Sequence, residues 1–148
     1  SVLNLDILVK NINKNKLEDK IFVVPNPIYK NCTFNNFSIS SREKGGANSN
    51  FGEISFTRNF LMKYKTNSLN FENIMKIYGL KSPTNIKIDV DGNESEILQT
   101  LFSVKSDIKS ILIEVNFNKE ELEKILLENN FKNTFFSKKR NNQIWERS

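Results

Sequence analysis

Apolar positions along this chain repeat with two different periods. Leu5, Leu8, Val9 and Ile12 recur at three- and four-residue spacing with Asp6, Lys10 and Asn13 opposite, so residues 2–14 predict an amphipathic helix. Asn13-Lys14-Asn15-Lys16 ends it. Ile21-Phe22-Val23-Val24 is a continuous apolar run, which predicts a strand covered on both faces, and Pro25 and Pro27 stop it. Residues 32–40 alternate, Phe37 and Ile39 against Ser38 and Ser40, and predict a more open strand. One or two further strands are expected between Glu53 and Thr66, with Phe56 early and Phe60, Met62 and Tyr64 alternating later.

Asn70 is placed to cap a helix carrying Phe71, Ile74, Met75 and Tyr78, which ends at Gly79. After Pro83, Ile86, Ile88 and Val90 predict a short buried strand. Gly92 turns the chain, and Ile97, Leu98, Leu101 and Phe102 return to helical spacing over residues 94–104. Ile111-Leu112-Ile113-Glu114-Val115-Asn116 predicts another buried strand. Asn118-Lys119-Glu120-Glu121 is a capping-box pattern opening a helix with Leu122, Ile125, Leu126 and Asn129 on or near one face. Residues 131–136 and 142–147 predict an antiparallel hairpin at the sheet edge. Buried strands alternating with helices imply an α/β fold, with a mostly parallel sheet covered by helices on both faces and finished by the hairpin.

The totals narrow the chemistry. The 148 residues suffice for one domain, 1–148, with a real core, and the hydrophobic content of 38% with twelve Phe argues against disorder. The net charge of +5 is modest, and its densest cluster, Lys138-Lys139-Arg140, reads as a solvated turn, so no nucleic-acid partner is expected. Cys32 is the single cysteine and there is no histidine. That excludes a disulfide framework, the usual zinc sites and any Ser-His-Asp or Cys-His nucleophile within the chain, and it fits a reducing, cytoplasmic setting. No apolar run approaches a membrane span. Three of the five glycines fall between Ser41 and Gly52, which predicts a flexible loop over 41–52, a lid or a surface insertion.

The candidate chemistry lies at Asp89-Val90-Asp91-Gly92, where a strand ends and a helix begins. Ligands of open α/β sheets bind outside the carboxyl ends of the strands. Calcium does not fit, because an EF-hand loop with Gly92 at its sixth position would start at Lys87 and end at Leu98, where carboxylates are required. Taken alone, the two Asp residues could simply be strand-end and turn residues. Alternation places Asp89 and Asp91 on the same side, so spacing does not separate them.

Asn85 to Leu98, with Ile86-Lys87-Ile88-Asp89-Val90-Asp91-Gly92 followed by Glu94, Glu96 and an apolar pair, resembles the signature of the FkbM family of S-adenosylmethionine-dependent methyltransferases. Leu112-Ile113-Glu114-Val115 resembles that family's next strand, Thr66-Asn67-Ser68-Leu69-Asn70 its helix entry, and Leu5 to Asn13 the helix after its second strand. The resemblance implies a partial Rossmann-like class I methyltransferase fold and O-methylation of a sugar or small metabolite. The family's glycine-rich cofactor loop and ribose-binding acid have no counterpart here, since Gly45-Gly46-Ala47 lies in another context. The chain is therefore expected to be N-terminally truncated, to bind little cofactor alone, and to aggregate or dimerise through unpaired strand edges. Implied roles are Asp89 or Asp91 as catalytic base, Glu114 and Glu94 toward the acceptor (Glu94 alternatively capping its helix), and Asn26 toward the cofactor adenine, with no metal. Rival readings are a non-catalytic α/β binding module and an α/β protein holding magnesium and a nucleotide.

Overall fold

The first predicted helix forms over its whole length: α1 spans Val2–Lys14, and Ile12 is its buried residue. Leu8 and Val9, on the same stripe, stay 44% and 43% exposed. In the computed structural model, which describes residues 1–43, 45–47, 49–52, 60–104, 106–137 and 141–148, α1 belongs to the first of two compact units. That unit comprises Ser1–Pro27 and Thr33–Ser68, and the second comprises Ile28–Cys32 and Leu69–Ser148.

In the first unit, β1 (Phe34–Ile39) is the middle strand of an antiparallel sheet, between β2 (Asn50–Phe51) and β3 (Met62–Asn67). Phe37 lies opposite both Phe51 and Tyr64, and its ring stacks on Tyr64 at 5.4 Å between centroids. Ile39 and Phe51 are buried beneath. Part of the predicted 41–52 loop is thus built into the sheet. Asn4 holds its glycine turn, accepting from the Gly45 N–H at 2.9 Å and donating to the Gly46 carbonyl at 3.0 Å. The strand expected around Phe56 lies outside the described residues.

The predicted strand at Ile21–Val24 does not form, and Ile21 and Phe22 are 41% and 59% exposed. An apolar run becomes a strand only where a neighbour takes its backbone hydrogen bonds, and none of the described strands pairs with it.

The second unit starts its main run with α2 (Phe71–Tyr78), entered and left as its caps predict. The Asn70 side chain accepts from the Asn73 N–H at 2.9 Å, and Gly79 takes the left-handed conformation at φ 61°. Then follow β4 (Asn85–Ile88), α3 (Glu94–Phe102), β5 (Ser110–Glu114), α4 (Lys119–Glu128), β6 (Phe131–Ser137) and β7 (Asn142–Arg147). Asn118 does not cap α4 with its side chain. It sits at φ 51°, and its carbonyl accepts from the Leu122 N–H instead. Asn tolerates this left-handed geometry, which competes with the extended one a side-chain cap needs.

The sheet order is β4-β5-β7-β6. Among the described strands of this sheet only β4 and β5 pair in parallel, and the expectation of a mostly parallel sheet is corrected. Parallel pairing needs a crossover long enough to return the chain, which α3 supplies between β4 and β5. The tight β6–β7 hairpin instead reverses direction and sets β7 antiparallel against β5, inside the sheet. The strand predicted from Ile86, Ile88 and Val90 is β4, which ends at Ile88 and is an outer strand of this sheet among the described residues. Ile88, Ile111, Ile113 and Trp145 from the sheet pack with Leu98, Leu101, Leu122 and Leu126 from α3 and α4.

Leu98 is completely buried, so Leu98→Ala is expected to cost roughly 2–5 kcal/mol, against about 1 kcal/mol for Asn70→Ala. Urea unfolding of the two variants beside the wild type measures both.

Candidate active site

Parallel neighbours end on the same side of a sheet. Ile88 of β4 is in register with Ile113 of β5, so Asp89, just past β4, and Glu114, the last residue of β5, follow at adjacent positions. The contacts there form a chain. Lys87 Nζ donates to Asp89 Oδ2, and the Glu114 side chain lies close enough to Asp89 to influence its carboxyl. Asn116 Nδ2 donates to Glu114 Oε1 at 3.1 Å, and Asn141 Nδ2 donates to Asn116 Oδ1 at 3.3 Å. The Asn141 carbonyl also accepts from the Val115 N–H at 2.9 Å, tying the start of β7 to the end of β5. Spacing and the resemblance point to Asp89 and Glu114 but miss Lys87, Asn116 and Asn141. Two of these were within reach of sequence reasoning: Lys87 and Asn116 each stand two residues from an acid, on the same side of an extended chain. Asn141 joins only through β7 pairing.

The two acids flanking the turn differ sharply in environment. Asp89 is about half exposed, and the hydrogen bond from Lys87 beside it holds its carboxyl below the ordinary 3.8. It stays ionised across the neutral range. Glu94, the first residue of α3, is only 3% exposed, with Oε1 accepting from the Gly92 N–H at 3.3 Å. Burial pushes its carboxyl up, and the charges of Asp91 and Glu96 add to the rise. Gly92 permits this turn by taking φ 115°, a conformation side chains disfavour. Asp91 is half-buried in the turn between β4 and α3.

Asn26 belongs to the other compact unit. Its Nδ2 donates to the Asn67 carbonyl at 3.1 Å, and it lines a cleft of about 510 Å³. Leu5 and Leu8 of α1, Pro25, Pro27 and the stacked Phe37 and Tyr64 form the other walls. Burial raises the Tyr64 hydroxyl above 10.0, opposed by a hydrogen bond with the Val2 backbone.

The raised Glu94 carboxyl has a consequence for stability. A carboxyl whose folded value lies above its ordinary 4.5 stabilises the fold most below that value, and this contribution is lost as pH rises through the folded value. Glu94→Gln, which keeps an acceptor for the Gly92 N–H, is therefore expected to melt a few degrees higher than the wild type at pH 7. The difference should vanish near pH 4, and thermal melts at the two pH values measure it.

No curated protein and no solved structure matches the chain. A model of the Methyltransferase FkbM domain matches residues 2–137, a span that takes in α1, the Asp89–Glu114 pair, Asn26 and the start of the C-terminal hairpin. The chain belongs to the FkbM methyltransferase domain family.

Proposed function

We propose that this methyltransferase-family chain serves methyl transfer from S-adenosylmethionine to a hydroxyl group of a sugar or small metabolite, on a Rossmann-like framework in the cytoplasm. The observation that carries the reading is the juxtaposition of Asp89 and Glu114 at the carboxyl ends of parallel β4 and β5, joined by the α3 crossover. The cleft at Asn26 suits the flat end of the cofactor, with proline and aromatic walls and a volume in the range of small-ligand sites. No helix among the described residues is long and apolar enough to cross a membrane.

Bound S-adenosylmethionine supplies an electrophilic sulfonium methyl, and the residues of this chain position the acceptor oxygen and receive its proton. Asp89, kept ionised by Lys87, accepts a hydrogen bond from the acceptor hydroxyl and aims its lone pair. Glu114, steadied by Asn116, orients the acceptor from the neighbouring strand, while Glu94 shapes the turn beneath it. Asp89 or Asp91 would take the hydroxyl proton as the new oxygen–carbon bond forms and the sulfur–methyl bond breaks, leaving a neutral methyl ether and the neutral thioether S-adenosylhomocysteine.

Calorimetry of the complete protein with S-adenosylhomocysteine is expected to show saturable binding, whereas magnesium with a nucleotide should give none. Binding of the second pair alone overturns the proposal. Loss of the general base by Asp89→Asn or Asp91→Asn is expected to lower kcat by about 10²–10⁴-fold, and unchanged turnover in both variants rules these acids out.

A further inference from the structure

One residue beside the hairpin holds the exit of β5 in two ways. Val115 follows the last residue of β5 and is buried, so its N–H needs a partner beyond the ladder. The Asn141 carbonyl accepts it at 2.9 Å. The Asn141 side chain meanwhile donates to Asn116 Oδ1 at 3.3 Å, and Asn116 Nδ2 donates to Glu114 Oε1 at 3.1 Å. Asn141 thus grips the main chain at Val115 and the side chains on either side of it. The polarity of this chain is fixed from its acid end. An ionised carboxylate only accepts, so Asn116 turns its Nδ2 to Glu114 and its Oδ1 away, and position 141 must supply a side-chain donor. The backbone makes a second demand there, because φ is 50°, in the left-handed region. Gly, Asn and Asp enter that region most readily, and at neutral pH only Asn among them carries a side-chain donor. Both demands meet in the residue present.

We propose, on the reading that Glu114 orients the acceptor hydroxyl, that Asn141 is a positioning residue which acts through Asn116 to fix how the Glu114 carboxylate faces. Asn116 and Asn141 are exposed, and water competes there for any amide that is free to turn. The backbone bond to Val115 counters this by keeping Asn141 within reach of Asn116. Without the Asn141 amide, Asn116 can rotate and Glu114 spreads over several rotamers, so a bound hydroxyl meets its acceptor oxygen in fewer productive poses. The start of β7, laid antiparallel beside β5 with Asn142 opposite Glu114, thereby takes a part in the site while Asp89 stays open to the acceptor.

In the complete protein, Asn141→Gly keeps the left-handed turn and the carbonyl for Val115 and removes only the amide. It should melt close to the wild type. In proton–nitrogen spectra the wild-type Asn116 side-chain amide is expected to shift as acid protonates Glu114, and Glu114→Gln should remove that shift. Asn141→Gly should lose most of it, a change that a role confined to the turn would not produce. In methyl transfer to hexoses as probe acceptors, followed as release of S-adenosylhomocysteine, Asn141→Gly should lower kcat/KM about fivefold and add no further loss to Glu114→Gln. An Asn116 amide that titrates alike in the wild type and Asn141→Gly overturns the proposal, and so does full additivity of the two kinetic losses. A wild type that binds no S-adenosylhomocysteine overturns the methyl-transfer reading and this proposal with it, and the amide signals tell the two failures apart.

Discussion

The parallel ladder between β4 and β5 is the constraint on which the second unit depends. It places Ile88 against Ile113 at the centre of a core that α3 and α4 close with Leu98 and Leu126. A parallel pair cannot be made by a tight turn, so the crossover through α3 is required by the ladder and not merely packed on it. The same geometry brings both carboxyl ends to one side, and with them Asp89 and Glu114. Core and candidate chemistry therefore share one cause.

What those carboxylates can do is set by their neighbours. Asp89 and Glu94 lie five residues apart on either side of Gly92, yet their acidities shift in opposite directions. A lysine ammonium beside Asp89 favours its charged form, while enclosure of Glu94 under α3 disfavours its own. The left-handed turn at Gly92 makes the difference possible, because it folds Glu94 back onto the backbone and leaves Asp89 at the surface. A bulkier residue there would strain the turn and loosen both arrangements. Membership of the FkbM methyltransferase domain family gives this acid pair its context, since methyl transfer rests mainly on the alignment of donor and acceptor.

Helices α1 and α2 were legible because their determinants are local: a stripe at helical spacing, Asn70 before the first turn, Gly79 after the last. The hairpin at β6–β7 was legible for the same reason. Asp89, Gly92 and Glu114 stood out through the pattern around them, but Asn141 could not, since it reaches Asn116 only after β7 is laid beside β5. Ile21–Val24 shows the opposite error. Its composition is that of a strand, yet it joins no described strand and leaves Ile21 and Phe22 exposed, because pairing is a property of two segments, not one.

Read alone, the sequence determined which segments are helical, where the chain turns and which acids sit at a strand end, because periodicity, caps and glycine conformations act over a few residues. Only the tertiary structure decided that β7 enters the sheet antiparallel between β5 and β6, and that Lys87 and burial pull Asp89 and Glu94 apart. Those outcomes depend on backbone hydrogen bonds and desolvation between residues far apart in the chain, which no local pattern records.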